Sequence, residues 1–243
     1  MILRHTGPAG GHGLLLLALL LGVLPGCKGE YERRLDLRLD ELRKGSDFNV
    51  VLTQKVPISF PSGTVTLCLP PDLVEVDAKA DPQRVKLTIA APMADNNLNE
   101  MHTYEGTVAD SAKGEQHYYL YVGSLDLAEG GNDDMMVFWS RVKDVIRSLP
   151  ALEEVQVATR DGSGVSCRKC RGAAQQVFYY KKPDGSDDYR QMEGLLEIWD
   201  RKIEPAKKHL VMVWRVPTVE GKDYIELDKK ARLVAGGIEV SAK

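Results

Sequence analysis

Four apolar runs between Glu154 and Val216 follow one another with turn signals between them, and this constrains the fold more than any other feature. The runs are Glu154 to Thr159, Gln176 to Tyr180, Leu195 to Trp199 and His209 to Val216. Asp161-Gly162, Pro183-Asp184-Gly185 and Pro205 punctuate them. Strands that succeed one another through turns pair antiparallel, because parallel pairing needs a crossover of about a dozen residues or more. This half of the chain therefore predicts an antiparallel sheet.

The preceding stretch, Phe48 to Leu125, reads mostly as strand and turn. Val50 to Leu52 opens it, and Pro61-Ser62-Gly63 turns into Thr64 to Leu69, where Val65, Leu67 and Leu69 share one face. Pro70-Pro71-Asp72 stops that strand, since proline cannot donate to a ladder. Arg84 to Ala90 alternates as a half-buried strand. Met101 to Val108 and His117 to Val122, with Gly114 between them, fit a hairpin.

Helical spacing appears in three places. Tyr31, Leu35, Leu39 and Leu42 form one stripe of a charged segment, a spacer helix closed by Gly45. Asn132-Asp133-Asp134 caps a helix carrying Met135, Phe138, Val142, Val145 and Leu149, which Pro150 ends. Tyr224, Leu227, Ala231 and Val234 form another stripe that runs into Gly236-Gly237. The expected fold class is α+β: a mainly antiparallel β-sheet packed with two long helices in an α/β/α sandwich.

The segment Phe60-Pro61-Ser62-Gly63-Thr64-Val65-Thr66-Leu67-Cys68-Leu69-Pro70-Pro71-Asp72-Leu73 resembles the opening strand and Leu-Pro corner of PsbP-like domains. The order that follows is similar as well. A Trp139-bearing helix precedes a hairpin, then Leu195-Leu196-Glu197-Ile198-Trp199, then Leu210 to Pro217 and a closing helix ending Ala235-Gly236. The resemblance spans roughly residues 50 to 240 and implies a binding or assembly factor, with no catalytic signature to transfer. The segment around Cys167 and Cys170 departs from it.

The N-terminal region gives an address. Arg4 precedes the apolar run Leu14 to Leu24, which ends in Leu24-Pro25-Gly26-Cys27. A spanning helix needs about 20 consecutive apolar residues, and this run is roughly half that. The layout is that of a secretory signal, and Cys27 resembles the acylated cysteine of the bacterial lipoprotein lipobox. The resemblance implies cleavage after Gly26 and acyl chains on Cys27, enough for stable membrane attachment. The chain then divides into a signal peptide (1–26), an anchored arm with its spacer helix (27–47) and the α+β domain (48–243). It would sit on the cell envelope, facing the periplasm or the exterior. Lys28 after Cys27 gives no signal for retention at the inner membrane.

Charge and chemistry exclude more than they assign. The 243 residues carry a formal net charge of −3 without a polybasic stripe, so no nucleic-acid footprint is expected. Cys167 and Cys170, flanked by Arg168, Lys169 and Arg171, have the spacing of a dithiol. They are read as a local disulfide or, alternatively, as a thiol–disulfide redox pair. Turn signals lead this motif into a strand, whereas a thioredoxin-like site feeds a helix. Cys68 is expected as a semi-buried side chain beside Thr66. Cys68, His102, His117 and His209 are too scattered to read as a metal site, so neither a metal nor a cofactor is expected. The histidines have no Ser, Cys or carboxylate at a meaningful spacing. Asp126, Glu129, Asp133 and Asp134 lack the spacing of a calcium loop and read as a solvated loop. Trp199 and Trp214 are expected in packing, and Arg215 on the surface, where it could read an acidic partner. The expected function is a lipid-anchored, non-catalytic binding factor holding an envelope protein.

Overall fold

Pro183-Asp184-Gly185 turns the chain through Gly185 at φ 82°, and the two strands leaving it are the longest among the described residues. In a computed structural model of the chain, residues 48, 51–60, 63–77, 98–110, 114–126, 139, 152–203, 208–218, 223 and 225–241 are described. The strands are β1 (Gln54–Phe60), β2 (Gly63–Leu69), β3 (Val74–Glu75), β4 (Leu98–Asp110), β5 (Gly114–Asp126), β6 (Glu153–Ala158), β7 (Gly164–Lys181), β8 (Asp187–Ile203), β9 (Lys208–Pro217) and β10 (Glu239–Ser241). One helix, α1 (Leu227–Gly236), precedes β10.

All described ladders are antiparallel. A small sheet runs β1-β2-β10, and a large one runs β3-β4-β5-β9-β8-β7-β6. β7 and β8 span 18 and 17 residues, against the five each that the apolar runs suggest. Strands this long coil with the twist of the sheet. The far end of β7 therefore comes back to β5, pairing Lys181 with Glu115 and Tyr180 with Gln116. The circuit β5–β9–β8–β7–β5 is closed.

Two glycines permit that closure. Gly114 has φ 99°, and a methyl group there would lie 2.1 Å from the Lys181 carbonyl oxygen. At Gly194 a methyl would lie 2.4 Å from a ring carbon of Phe178 and 2.9 Å from the Val216 carbonyl oxygen. Gly194 pairs with Pro217, the last residue of β9, so it marks where β8 runs on past β9 and curls.

This overturns the expected sheet covered by two long helices. The sheet covers itself by closing, and the one helix whose span is described is ten residues long. Of the helix expected from Asn132 to Leu149, only Trp139 is described, helical and buried. The rest of it lies outside the described residues, as do Arg84 to Ala90, the spacer helix and the signal segment. All described residues belong to one compact unit, 47–243.

α1 buries Leu227, Ala231, Val234 and Ala235 against one face of the large sheet, where Trp199, Met212 and Trp214 also pack. Full burial of Leu227 and Val234 contributes about 1.5–3 kcal/mol each. Asp223 replaces a side-chain N-cap by accepting from the Leu227 amide at 3.1 and 3.2 Å. The Pro70-Pro71-Asp72 corner is pinned beneath α1: Asp72 accepts from Tyr118 at 2.5 Å and from Lys230 at 2.8 Å. β2 is the central strand of its sheet, so Cys68 is fully buried along with Leu67 and Leu69 on the opposite face.

Candidate functional site

Three histidines that stand alone in the sequence each meet a carboxylate from the adjacent strand. His102 on β4 lies 2.9 Å from Glu75 on β3, His117 on β5 lies 3.2 Å from Glu105 on β4, and His209 on β9 lies 2.5 Å from Asp200 on β8. Antiparallel pairing makes cross-strand neighbours of residues far apart in sequence, which is why spacing along the chain did not disclose them.

The third pair is the most constructed. The Asp200 side chain is 1% exposed, and it also accepts from Arg168 through Nε at 2.9 Å and Nη2 at 2.5 Å. Register dictates the arrangement: Arg168 pairs directly with Asp200, and His209 lies diagonally across from it. The carboxylate thus ties three strands, with a guanidinium on one side and an imidazole Nδ1 on the other. Chemically this fixes the ring orientation and leaves Nε2 as the group that faces away. Among the described residues, no group of three His, Cys, Asp or Glu side chains is placed to hold a metal.

Arg215 is corrected from a surface position to the interior. It is 1% exposed, with its guanidinium 4.4 Å from the Tyr119 ring centroid, 5.2 Å from Phe178 and 5.8 Å from Tyr121. These residues lie on the face of β5, β9 and β7 opposite to α1, near the point of closure. Burial and the neighbouring Glu105 carboxylate push the Tyr119 phenol far above its ordinary range. A cation enclosed by aromatic rings packs as an apolar group while keeping its charge partly compensated.

The two cysteines singled out by spacing fall on opposite faces of β7, because they are three residues apart on an extended strand. Cys167 pairs with Arg201 and Cys170 with Ile198. Their Cα atoms are therefore ~10 Å apart, beyond the reach of a disulfide. Both are buried and unbridged. Burial pushes the Cys167 thiol up to about 11. Burial, followed by the Glu239 carboxylate, also raises Cys68. Glu239 itself ties β10 to β1 and to the β6–β7 turn through Lys55 at 3.0 Å and Arg160 at 2.5 Å. Trp199 and Trp214 are packed as expected. Cys27, Glu129, Asp133 and Asp134 lie outside the described residues, as does the side chain of Asp126.

No protein-family model matches the chain, and no curated protein matches it. Among solved structures it is similar to the Ran-binding protein Mog1p of Saccharomyces cerevisiae. The identity is 14%, over 77% of this chain and 95% of that one, with a TM-score of 0.35. A point mutant of Mog1 gives 13% identity over 77% of this chain and 96% of that one, again at 0.35. A likeness of this size carries no argument about what the chain folds into or does.

Proposed function

We propose that the chain is a non-catalytic binding or assembly factor, held to an envelope membrane through acyl chains on Cys27. The observation that carries the non-catalytic part is how its reactive side chains are spent. His102, His117 and His209 each sit on a cross-strand carboxylate, and Arg168, Lys230 and Arg160 bind Asp72, Asp200 or Glu239. These contacts fix strand to strand, the corner to α1 and the β6–β7 turn to β10. Cys167 is buried with a proton-retaining thiol, which disfavours it as a nucleophile at neutral pH. The distance across β7 removes the local exchange that a Cys167–Cys170 redox pair would need.

The anchor rests on the sequence from Leu14 to Cys27. Among the described residues no helix is long and apolar enough to cross a membrane. A closed sheet of strand-to-strand ion pairs makes a rigid platform, and rigid platforms hold partners with little ordering cost. The partner is an envelope protein reached from the membrane surface.

Cross-linking in intact cells tests this reading. The native chain and a Cys27→Ser variant are compared after membrane fractionation and identification of cross-linked proteins. Expected is a stoichiometric partner that stays with the membrane-bound native chain and is lost with the released variant. A native chain that fractionates as a soluble, uncross-linked monomer refutes it.

A further inference from the structure

Beneath the start of α1, one arginine is shared between two carboxylates of very different surroundings. β7 presents Lys169 and Arg171 toward α1, and β8 presents Glu197 and Trp199 opposite them. Glu197 is fully buried, and its Oε1 accepts from the Trp199 indole N–H at 2.5 Å. Among the described residues its Oε2 has no hydrogen-bond partner, nor does the indole nitrogen of Trp214, the β9 residue paired with Glu197. Among the described residues the cation within ion-pair reach of that oxygen is Arg171, whose Nη1 stands 3.6 Å away. The other end of the same guanidinium, Nη2, donates to Asp223 at 2.7 Å. Asp223 is the carboxylate that accepts the Leu227 amide and so closes the first turn of α1.

We propose that Glu197 is a proton-operated latch on the start of α1. With Glu197 neutral, Arg171 belongs wholly to Asp223 and the first turn is held on the sheet. With Glu197 ionised, an uncompensated buried oxygen draws Arg171 inward and the Asp223 cap loosens. An unpaired charge in the interior is costly, so the surroundings reorganise rather than leave it.

Among the described residues the charged groups facing Glu197 are few. β7 supplies Lys169 and Arg171, and the helix with its approach supplies Asp223, Asp228 and Arg232. β9 contributes only the neutral Trp214. Lys169 and Arg232 are both engaged with Asp228, at 2.5 and 2.7 Å, which leaves Arg171 as the group that can shift. Burial raises the Glu197 carboxyl above its ordinary value, ahead of the opposing pull of the Trp199 bond and of Arg171. The sign follows from linkage. A group with a raised folded value contributes fully below its unfolded value, and that contribution is lost as pH rises through the folded one. Docking of α1 therefore weakens as pH rises above the ordinary carboxylate range and through the raised Glu197 value.

The test is amide hydrogen exchange of the purified full chain from pH 5 to pH 8, corrected for intrinsic rates and read on peptides spanning 225–236. Opening of the first turn is expected to increase by up to about tenfold per pH unit while Glu197 loses its proton. Glu197→Gln should hold the acid-form protection across the whole range, and Arg171→Met should open the turn at every pH. Wild-type protection that is independent of pH overturns the latch, as does a Glu197→Gln chain with unchanged pH dependence. If Glu197→Gln does not fold, infrared titration of the wild type decides. A buried protonated-carboxyl band must vanish over the pH range in which the turn opens, and its absence overturns the proposal.

Discussion

Replacing Gly194 by alanine tests the closure of the sheet directly. Gly194 does not occupy the left-handed region, so an alanine there is conformationally ordinary and on its own gains about 0.5–1 kcal/mol over glycine. The added methyl, however, would lie 2.4 and 2.6 Å from two ring carbons of Phe178 and 2.9 Å from the Val216 carbonyl oxygen. Phe178 is itself buried at 1% exposure beside Arg215, so its ring has nowhere to retreat without disturbing the aromatic enclosure. Overpacking costs about 1–3 kcal/mol, and three contacts under 3.0 Å place this site in the upper part of that range, at about 2–3 kcal/mol, which leaves a net loss of about 1–2.5 kcal/mol after the backbone gain. For a domain of this size that lowers Tm by roughly 2–10 °C. Gly164→Ala serves as the control, because its nearest neighbour would be the Gln156 side-chain oxygen at 3.6 Å, and it should be neutral or slightly stabilising. Thermal unfolding of the two variants and of Gly194→Ala/Phe178→Leu, which should recover part of the loss, reads the outcome. A Gly194→Ala chain as stable as the wild type would mean that Phe178 does not cross Gly194, and that β8 does not curl as described.

Asp200→Ala removes the carboxylate common to Arg168 and His209 and should destabilise the chain by about 3 kcal/mol, measured by denaturant unfolding; Asp200→Asn should lose less, since it retains one acceptor. At the Leu-Pro corner, burial acts to raise the Asp72 carboxyl, but hydrogen bonds from Lys230 and Tyr118 outweigh it and hold the group below its ordinary value. Its contribution is therefore present above the unfolded value of 3.8 and is lost as pH falls through the folded value. Asp72→Asn should flatten the acid limb of the Tm–pH curve while leaving the alkaline limb unchanged. Iodoacetamide at neutral pH should modify Cys167 only after unfolding, and mass spectrometry of native and denatured chains checks this.

Much of the fold was legible where the signal is local. Val65, Leu67 and Leu69 alternate and are buried as alternation predicts, and the Leu227, Ala231 and Val234 stripe is the face that α1 docks. The closure was not legible, because Gly172-Ala173-Ala174-Gln175-Gln176 offers no apolar alternation yet lies wholly within β7. Pairing with β8 on one side holds that stretch extended, which no propensity shows. A usable signal did exist. Equal steps outward from the Pro183-Asp184-Gly185 turn carry Lys181 opposite Asp187 and, at the far end, Arg168 opposite Asp200. Counting that register would have found the Arg168–Asp200 pair and split Cys167 from Cys170. The sheet pairs of the histidines needed a second ladder each, and Arg215 beside Trp214 gave no hint of direction, since both faces of β9 are buried.

Intact-mass and peptide analysis of the native N terminus, taken from membranes without overexpression, bears most directly on the proposed anchor. The native chain is expected to begin at Cys27 and to carry the added mass of acyl chains on that residue. A chain retaining an unmodified Met1 and an unmodified Cys27 would contradict it.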